Sequence, residues 1–501
     1  MRRLWITIGA VTFTLVLKLA FTGQVSLIPE EAYYWNYAQH LDFGYFDHPP
    51  MVAWLIWLPT SLLGKSEWSI RLPAYLCWLA TAAFMFRLTV NLCDRPAAYR
   101  TVMLVAVLPI YFGLGFFMTP DAPLCAAWAG SLYFLERALI RQDRGAWTPI
   151  GVCLGIAMMS KYSAALLGAT TLIFLIIDRP SRRWFRRREP YIAAFIALVL
   201  FSPVVFWNLK NGWGSFLFQG PSRWESHHFA FHVLIGTVLL LLTPTGLLAI
   251  TRVLLSDRQN GTALSREIET VRRQHLWVAT FTIVPLSVFV AYSFLNSPKL
   301  NWTAPLWLAV LPLVARDMAL PIDKATSVWT KLSRRLWTPT VIGLLLVHTA
   351  FLSYVSLGLP GAGPMVPERL FGDWRAVAKK VDEVAATVEA EIGSMPVIVG
   401  MDKNFISSEL SFYCSNQIVG THNIGGIHFF DQPSLMWARW YPRSAAAGKD
   451  LLMIDLTRKR LMAPRLAAYF TSLDDISAEN LQSNGRVIGT LYWRVGRGYK
   501  G

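Results

Sequence analysis

Four carboxylates and four cations in this chain sit where they could do chemistry: Glu30, Glu31, Asp47 and Asp121, with His48, Arg71, Lys161 and Lys299. Each lies in or beside a polar interruption of an otherwise apolar sequence. A carboxylate can take the proton of an attacking hydroxyl. A cation can hold a phosphate leaving group. Together they suit group transfer from a lipid phosphate, whose chain lies in a bilayer and whose head group meets one face of it. Residues 28–54 begin Ile28-Pro-Glu-Glu-Ala-Tyr-Tyr-Trp35 and continue through Gly44-Tyr-Phe-Asp-His-Pro-Pro50. Pro29 suits the first turn of a helix. Glu30, Tyr33, Tyr34 and Tyr37 would then share a face. Asp121 stands in Thr119-Pro-Asp-Ala-Pro-Leu124, and Lys161 in Ser160-Lys-Tyr162. Residues 208–219 and 298–305, the latter holding Asn301, are further polar segments among aromatics. Taken singly, these have ordinary explanations. Acids suit a helix start, aromatics an interfacial belt, Asp an N-cap and Lys a snorkelling position. Asp121 at membrane depth weighs the other way, because an ionisable group there is costly and marks function.

The elements that position these residues are membrane helices. The 501 residues are 54% hydrophobic and 16% charged, against about a quarter charged in average soluble chains. Mean hydropathy is +0.39. This composition excludes disordered, fibrous and small disulfide-stapled classes and points to a polytopic membrane protein. The five cysteines are scattered, with no metal-ligand or disulfide spacing.

Hydropathy predicts eleven spans, near 4–22, 72–92, 101–118, 122–139, 147–160, 163–178, 191–207, 229–251, 276–294, 302–318 and 336–358. The first reads as a retained helix rather than a removed signal peptide. With the N-terminus in the cytoplasm, 23 Lys and Arg fall in cytoplasmic segments and 6 in short outer loops. An odd number of spans then puts the segment after 359 outside. Most of the net charge of +16 lies in those inner loops, so it is a topology signal and no nucleic-acid partner is expected. All five polar features face the outer side. Residues 1–358 are predicted as a transmembrane domain with a first outer loop at 23–71. Residues 359–501 are predicted as a small α/β domain, with strands near 397–399, 451–454 and 487–491 and helices near 374–390 and 404–413. The linker is residues 358–367, rich in Gly and Pro.

The motifs quoted above, with Trp207-Asn208, Phe216-Leu-Phe-Gln219 and Asn301-Trp-Thr-Ala-Pro305, resemble in matching order the bacterial GT-C membrane glycosyltransferases. These are relatives of dolichyl-phosphate-mannose protein mannosyltransferase and lipid A aminoarabinose transferase, glycosyltransferase family 39 and its neighbours. The resemblance covers about residues 1–360. It implies a GT-C fold of about eleven transmembrane helices with a C-terminal periplasmic domain, in a bacterial inner membrane. It also implies transfer from a polyprenyl-phosphate sugar on the periplasmic side. The family's first-loop Asp-Glu is Glu30-Glu31 here. Asp121 matches the second acid, and Lys161 a basic position facing the phosphate. Where the aminoarabinose enzymes carry an acid and a Lys before Pro-Pro, this chain has Asp47-His48. That departure argues against close functional identity with them.

The implied reaction puts the donor phosphate against Lys161, His48 and either Arg71 or Lys299. Glu30, or Asp121 with it, deprotonates an acceptor hydroxyl, with Glu31 beside them, and displacement in one step inverts the anomeric carbon. Tyr33, Tyr34, Asp47 and Asn301 are candidates for sugar or acceptor contacts, and Trp35 joins the tyrosines as a wall for the sugar. The acceptor is a lipid, glycan or protein of the envelope. No cofactor is predicted; Glu30, Asp47 and His48 leave room for a divalent metal that the pattern does not require. The alternatives are a flippase of a lipid-linked sugar, a polymerase or ligase using a pyrophosphate-linked glycan, and an anchored binding protein. A flippase predicts repeats and mid-membrane polar groups, and eleven spans exceed what an anchor needs.

Overall fold

The structure is a computed structural model that describes residues 2–220, 228–255, 266–320, 328–357, 372–415, 423–483 and 485–501. The linker expected at 358–367 lies outside the described residues, as do Arg223, Arg258 and Lys324 of the charged loops. The first third of the chain holds α1 (Arg2–Phe21), α2 (Pro29–Gln39), α3 (Met51–Leu63), α4 (Glu67–Leu92), α5 (Arg95–Val107), α6 (Pro109–Leu114), α7 (Asp121–Leu139) and α8 (Trp147–Ser160). Then come α9 (Ala165–Ile177), α10 (Glu189–Lys210), α11 (Gly214–Gln219), α12 (Phe231–Leu255), α13 (Arg266–Ser293), α14 (Leu311–Ala319) and α15 (Val328–Leu357). The chain clusters into two compact units. One comprises Met1–Leu19, Asp47–Val52 and Arg71–Thr349; the other comprises Ala20–Phe46, Ala53–Ile70 and Ala350–Gly501. Most of the first loop, which hydropathy attaches to the membrane part, thus groups with the C-terminal residues.

The first unit is the membrane part of a multi-pass protein. Every expected span falls on a helix or a pair of short ones. Six described helices are long and apolar enough to cross a bilayer, and up to seven if Tyr162–Ile177 and Arg179–Arg186, bent by 111°, form one span. Eleven is therefore not reached by length and composition alone. The shortfall has local causes. Pro109 has no N–H to donate, so the span expected at 101–118 is divided between α5 and α6. The span expected at 302–318 is a 3-10 turn, Pro305–Ala309, followed by α14. α8 has only 14 residues. Inside α12, Thr243 has φ 66° just before Pro244. The Gly246 N–H there donates to Thr243 Oγ1 at 3.2 Å, which satisfies one group freed by the break.

Two devices fix the helices that carry the site. At one end of α7 and α9, Arg273 of α13 donates to Asp178 at 3.0 and 2.7 Å and to the Leu139 carbonyl at 2.7 Å. Between α8 and α10, Gly151 and Gly155 form a small-xxx-small pair. A Cβ at Gly151 would meet the Ala193 carbonyl oxygen at 2.5 Å, and one at Gly155 would meet Leu200 at 2.7 Å. Gly151→Val is expected to cost about 1–3 kcal/mol by overpacking, read as a lower thermal midpoint in detergent. Gly168→Ala, whose Cβ has its nearest neighbour at 3.9 Å, is expected to leave the midpoint in place.

The second unit adds α16 (Trp374–Ile392), α17 (Phe405–Tyr413) and the short α18 (Trp437–Trp440) to α2 and most of α3. α16 buries Trp374, Val377, Ala378, Val381, Val384, Ala385 and Val388 along one stripe. It starts on Asp373, which accepts from the Ala376 N–H, and stops at Gly393 with φ 76°. Among the described residues, six strands form one mixed sheet: β1 (Val397–Gly400), β2 (Ile424–Gly426), β3 (Leu451–Asp455), β4 (Ser472–Leu473), β5 (Ser477–Ser483) and β6 (Arg486–Arg497). The order is β2-β1-β3-β6-β4, with β5 also on β6. β1 is parallel to β2 and β3, and β6 runs antiparallel to β3, β4 and β5. β1, β3 and the first half of β6 are the strands expected from their apolar runs. β2, with two glycines in three residues, and the largely exposed β5 carry no such run.

Candidate functional site

Asp121 opens α7 behind Pro120, with the Ala122 N–H closing the turn onto the Thr119 carbonyl at 3.0 Å. The carboxylate is 2% exposed and stands at a helix N-terminus, where negative charge is favoured. α8 packs beside α7 and ends at Ser160, leaving Lys161 in extended conformation at its C-cap. That geometry aims the Lys161 ammonium at Asp121, with Nζ donating to Oδ1 at 2.8 Å and to Oδ2 at 2.9 Å. Asn301, from the turn before Pro305, donates its Nδ2 to Oδ2 at 2.5 Å. Three segments 40 to 180 residues apart thus converge on one buried carboxylate.

Next in sequence to Lys161, the Tyr162 hydroxyl bonds Ser215 Oγ at 2.6 Å. Asn208 Oδ1 accepts from the Ser215 and Phe216 N–H groups at 3.2 and 3.3 Å, so it caps α11. The reversal from α10 into α11 passes through Gly212 and Trp213, both with φ 60°; glycine takes that conformation without cost. Gln219 donates to the Asp47 carbonyl oxygen, and Asp47 lies within electrostatic range of Tyr162. Phe216 and Phe201 stack around this group.

Of the residues expected at a site, Asp121, Lys161 and Asn301 form one cluster, and Asp47, 7% exposed, is held at the neighbouring one. His48 is half-buried and Lys299 exposed. Arg71 is a helix residue of α4, fully buried, with its guanidinium 4.9 Å from the Phe116 ring centre and 5.6 Å from that of Phe117. Tyr162, Ser215 and Gln219 stand in the segments that sequence reading marks as polar, but no spacing singles them out. Their contacts cross whole helices.

Glu30, Glu31, Tyr33 and Tyr34 belong to the second unit. Glu31 is fully buried, and its Oε2 accepts from the Ile28 N–H at 3.1 Å at the start of α2. Glu30, one residue earlier, is half-buried. The Tyr33 hydroxyl accepts from the Met436 N–H at 3.2 Å. Tyr33 and Tyr34 pack edge-on against Tyr37, which stacks on Tyr45 at 3.8 Å. Among the described residues, no group of three or more His, Cys, Asp or Glu side chains is arranged to hold a metal ion.

Residues 47–207 match the family described as dolichyl-phosphate-mannose-protein mannosyltransferase. The lipid A galacturonosyltransferase RgtD of Rhizobium johnstonii is 28% identical over 196 residues, 36% of this chain and 38% of that protein. The undecaprenyl phosphate-alpha-4-amino-4-deoxy-L-arabinose arabinosyl transferase of Photorhabdus laumondii is 21% identical over 243 residues, 45% of this chain and 42% of that one. The chain thus matches about two fifths of the length of these relatives. The crystal structure of ArnT from Cupriavidus metallidurans bound to undecaprenyl phosphate superposes with a TM-score of 0.63 at 15% identity, covering 98% of each chain. The shared fold therefore extends well beyond the stretch that sequence alone aligns.

Proposed function

We propose that this chain, a GT-C membrane glycosyltransferase in its motifs and its fold, moves a sugar from a polyprenyl-phosphate donor to a hydroxyl of an envelope acceptor. The Asp121–Lys161–Asn301 cluster carries this reading. It offers a fixed cation beside a buried acid at helix ends, an arrangement suited to a phosphate monoanion or dianion leaving from carbon. The Lys and Arg bias of the loops supports a periplasmic side for it and for the C-terminal domain. The relatives named above act on lipid A or use an undecaprenyl phosphate sugar by their own names, which supports the donor class and an envelope acceptor.

In the proposed reaction, the acceptor oxygen attacks the anomeric carbon as the bond from that carbon to the phosphate oxygen breaks. The bond's electron pair leaves with the polyprenyl phosphate, and the configuration inverts. Lys161 holds the departing phosphate, with His48 as a further donor. Glu30 takes the hydroxyl proton. Asp121 keeps Lys161 and Asn301 in place and adds negative charge near an oxocarbenium-like centre. Glu31, already engaged at the start of α2, acts as a structural neighbour of Glu30.

Proteoliposomes with radiolabelled polyprenyl-phosphate sugars test this. Transfer to an added envelope acceptor is expected to fall by about 100-fold or more in Glu30→Gln, the range for losing a general base. Glu31→Gln, which keeps an acceptor oxygen for the Ile28 N–H, is expected to retain transfer. Undiminished transfer in Glu30→Gln removes the base assignment. Translocation of the labelled lipid with no transfer favours the flippase.

A further inference from the structure

A hollow lies among the residues of the second unit. Trp35, Asn36 and Gln39 of α2, the C-cap residue His40, Ser411 of α17 and Trp440 of α18 line a hollow of about 170 Å³. α2 brings Trp35, Asn36 and Gln39 together because positions 35, 36 and 39 share one face of a helix, and His40 follows just past its end. Trp440 is held in place: His40 stacks on it at 5.0 Å and 14°, and Tyr37 and Trp437 meet it edge-on at 5.7 and 5.5 Å. Asn36 is also fixed, donating to the Ala32 carbonyl and accepting the Ser411 hydroxyl, both at 2.8 Å. Gln39 and His40 are exposed at the rim.

We propose that this hollow binds one uncharged sugar ring of the acceptor. A pyranose presents an apolar C–H face and a rim of hydroxyls. Indole and imidazole planes match the first, and the exposed Gln39 amide with the Ser411 hydroxyl oxygen matches the second, while Asn36 is engaged with Ala32, Ser408 and Ser411. The lining contains no Lys, Arg, Asp or Glu, so nothing there compensates a phosphate or carboxylate. That separates it chemically from the Lys161 cluster. Its volume is below the ~300–1,000 Å³ of drug-sized pockets, which fits a single ring and not a whole glycan. Trp35 and Gln39 also border a wider, more open hollow of about 470 Å³ that reaches Lys65, where the remainder of the glycan would continue. The fixed Trp440 and Asn36 reduce the ordering cost of binding. Binding of the ring stands on the hollow alone; its assignment to the acceptor rests on the transferase reading.

The test uses the full-length protein in nanodiscs without donor. The probes are the methyl α-glycosides of mannose, glucose and galactose, and of galacturonic acid as the charged counterpart. Saturation-transfer NMR is expected to show a neutral glycoside bound, with the uronide at least about tenfold weaker. Trp440→Ala and Gln39→Ala are expected to weaken it by about tenfold, which is 1.4 kcal/mol, and Trp440→Phe to recover part of it. Asp121→Asn is expected to leave it unchanged. Binding by none of the neutral probes, preference for the uronide, or equal binding in Trp440→Ala and Gln39→Ala overturns the site. Intact sugar binding in a protein that transfers from no donor leaves the hollow standing and removes the transferase reading. Transfer with an unchanged acceptor KM in both variants removes the assignment to the acceptor.

Discussion

Asp121→Asn is expected to lower kcat/KM for transfer by about a hundredfold, the scale seen when one preorganised electrostatic group is removed from a charge-developing site. The amide is nearly the same size as the carboxylate, so the turn at Pro120 and the start of α7 are retained. What changes is the hold on Lys161. Its ammonium now bonds both oxygens of a buried anion at 2.8 and 2.9 Å. After the substitution one uncharged oxygen remains, and the new NH2 group faces an ammonium and the Asn301 amide, both donors. The cation is no longer fixed where the phosphate departs. A positioning role of this kind predicts a particular pattern. The donor KM rises and kcat falls together, and Asp121→Glu recovers part of the loss. If Asp121→Asn instead lowers kcat with the donor KM unchanged, Asp121 is itself the base. A variant that transfers like the wild type leaves the cluster without a part in the reaction.

How much of this was legible in the sequence depends on how local each signal is. Asp121, Lys161 and Asn301 announce themselves because each is a polar residue at the edge of an apolar run, where burial of charge is costly without a reason. That all three meet is a tertiary fact, set by the packing of α7 on α8 and by the turn before Pro305. The tyrosines of α2 show the opposite case. Their i, i+3, i+4 pattern reads equally as a sugar wall or as packing, and only the Met436 and Tyr45 contacts show how Tyr33 and Tyr37 are used. α3 was hidden inside what reads as a loop. It is a 13-residue apolar helix, too short for the length test that finds spans. β1 and β3 are visible as fully buried apolar runs. β5 is not, because most of its residues face water and, among the described residues, its strand partner is β6. Grouping of the first loop with the C-terminal domain leaves no trace in hydropathy. It rests on pairs such as Asn36 with Ser411 and Leu27 with Tyr413, more than 370 residues apart.

Lys161→Met carries the second large effect, and its value lies in pairing it with Asp121→Asn. The single substitution leaves Asp121, 2% exposed, with its charge held only by Asn301 and the helix start. Removing one partner of a buried ion pair costs about 3–5 kcal/mol, because the other charge stays uncompensated. The thermal midpoint in detergent is therefore expected to drop more for Lys161→Met than for Asp121→Asn. The double variant carries no buried charge at that point. Buried pairs replaced by neutral groups of similar size are often no less stable than the original, so the double variant is expected to regain most of the lost stability. Transfer is expected to stay lost, by about a hundredfold or more, since no cation faces the leaving phosphate. The two readouts thus move apart, and the double-mutant cycle assigns their coupling to the pair. Stability and transfer recovering together in the double variant would make the pair a strut between α7 and α8 and nothing more. Wild-type donor KM in Lys161→Met would move the phosphate site elsewhere in the membrane unit. The expected result, a stable core with an inactive site, separates a part in transfer from a strut between two helices.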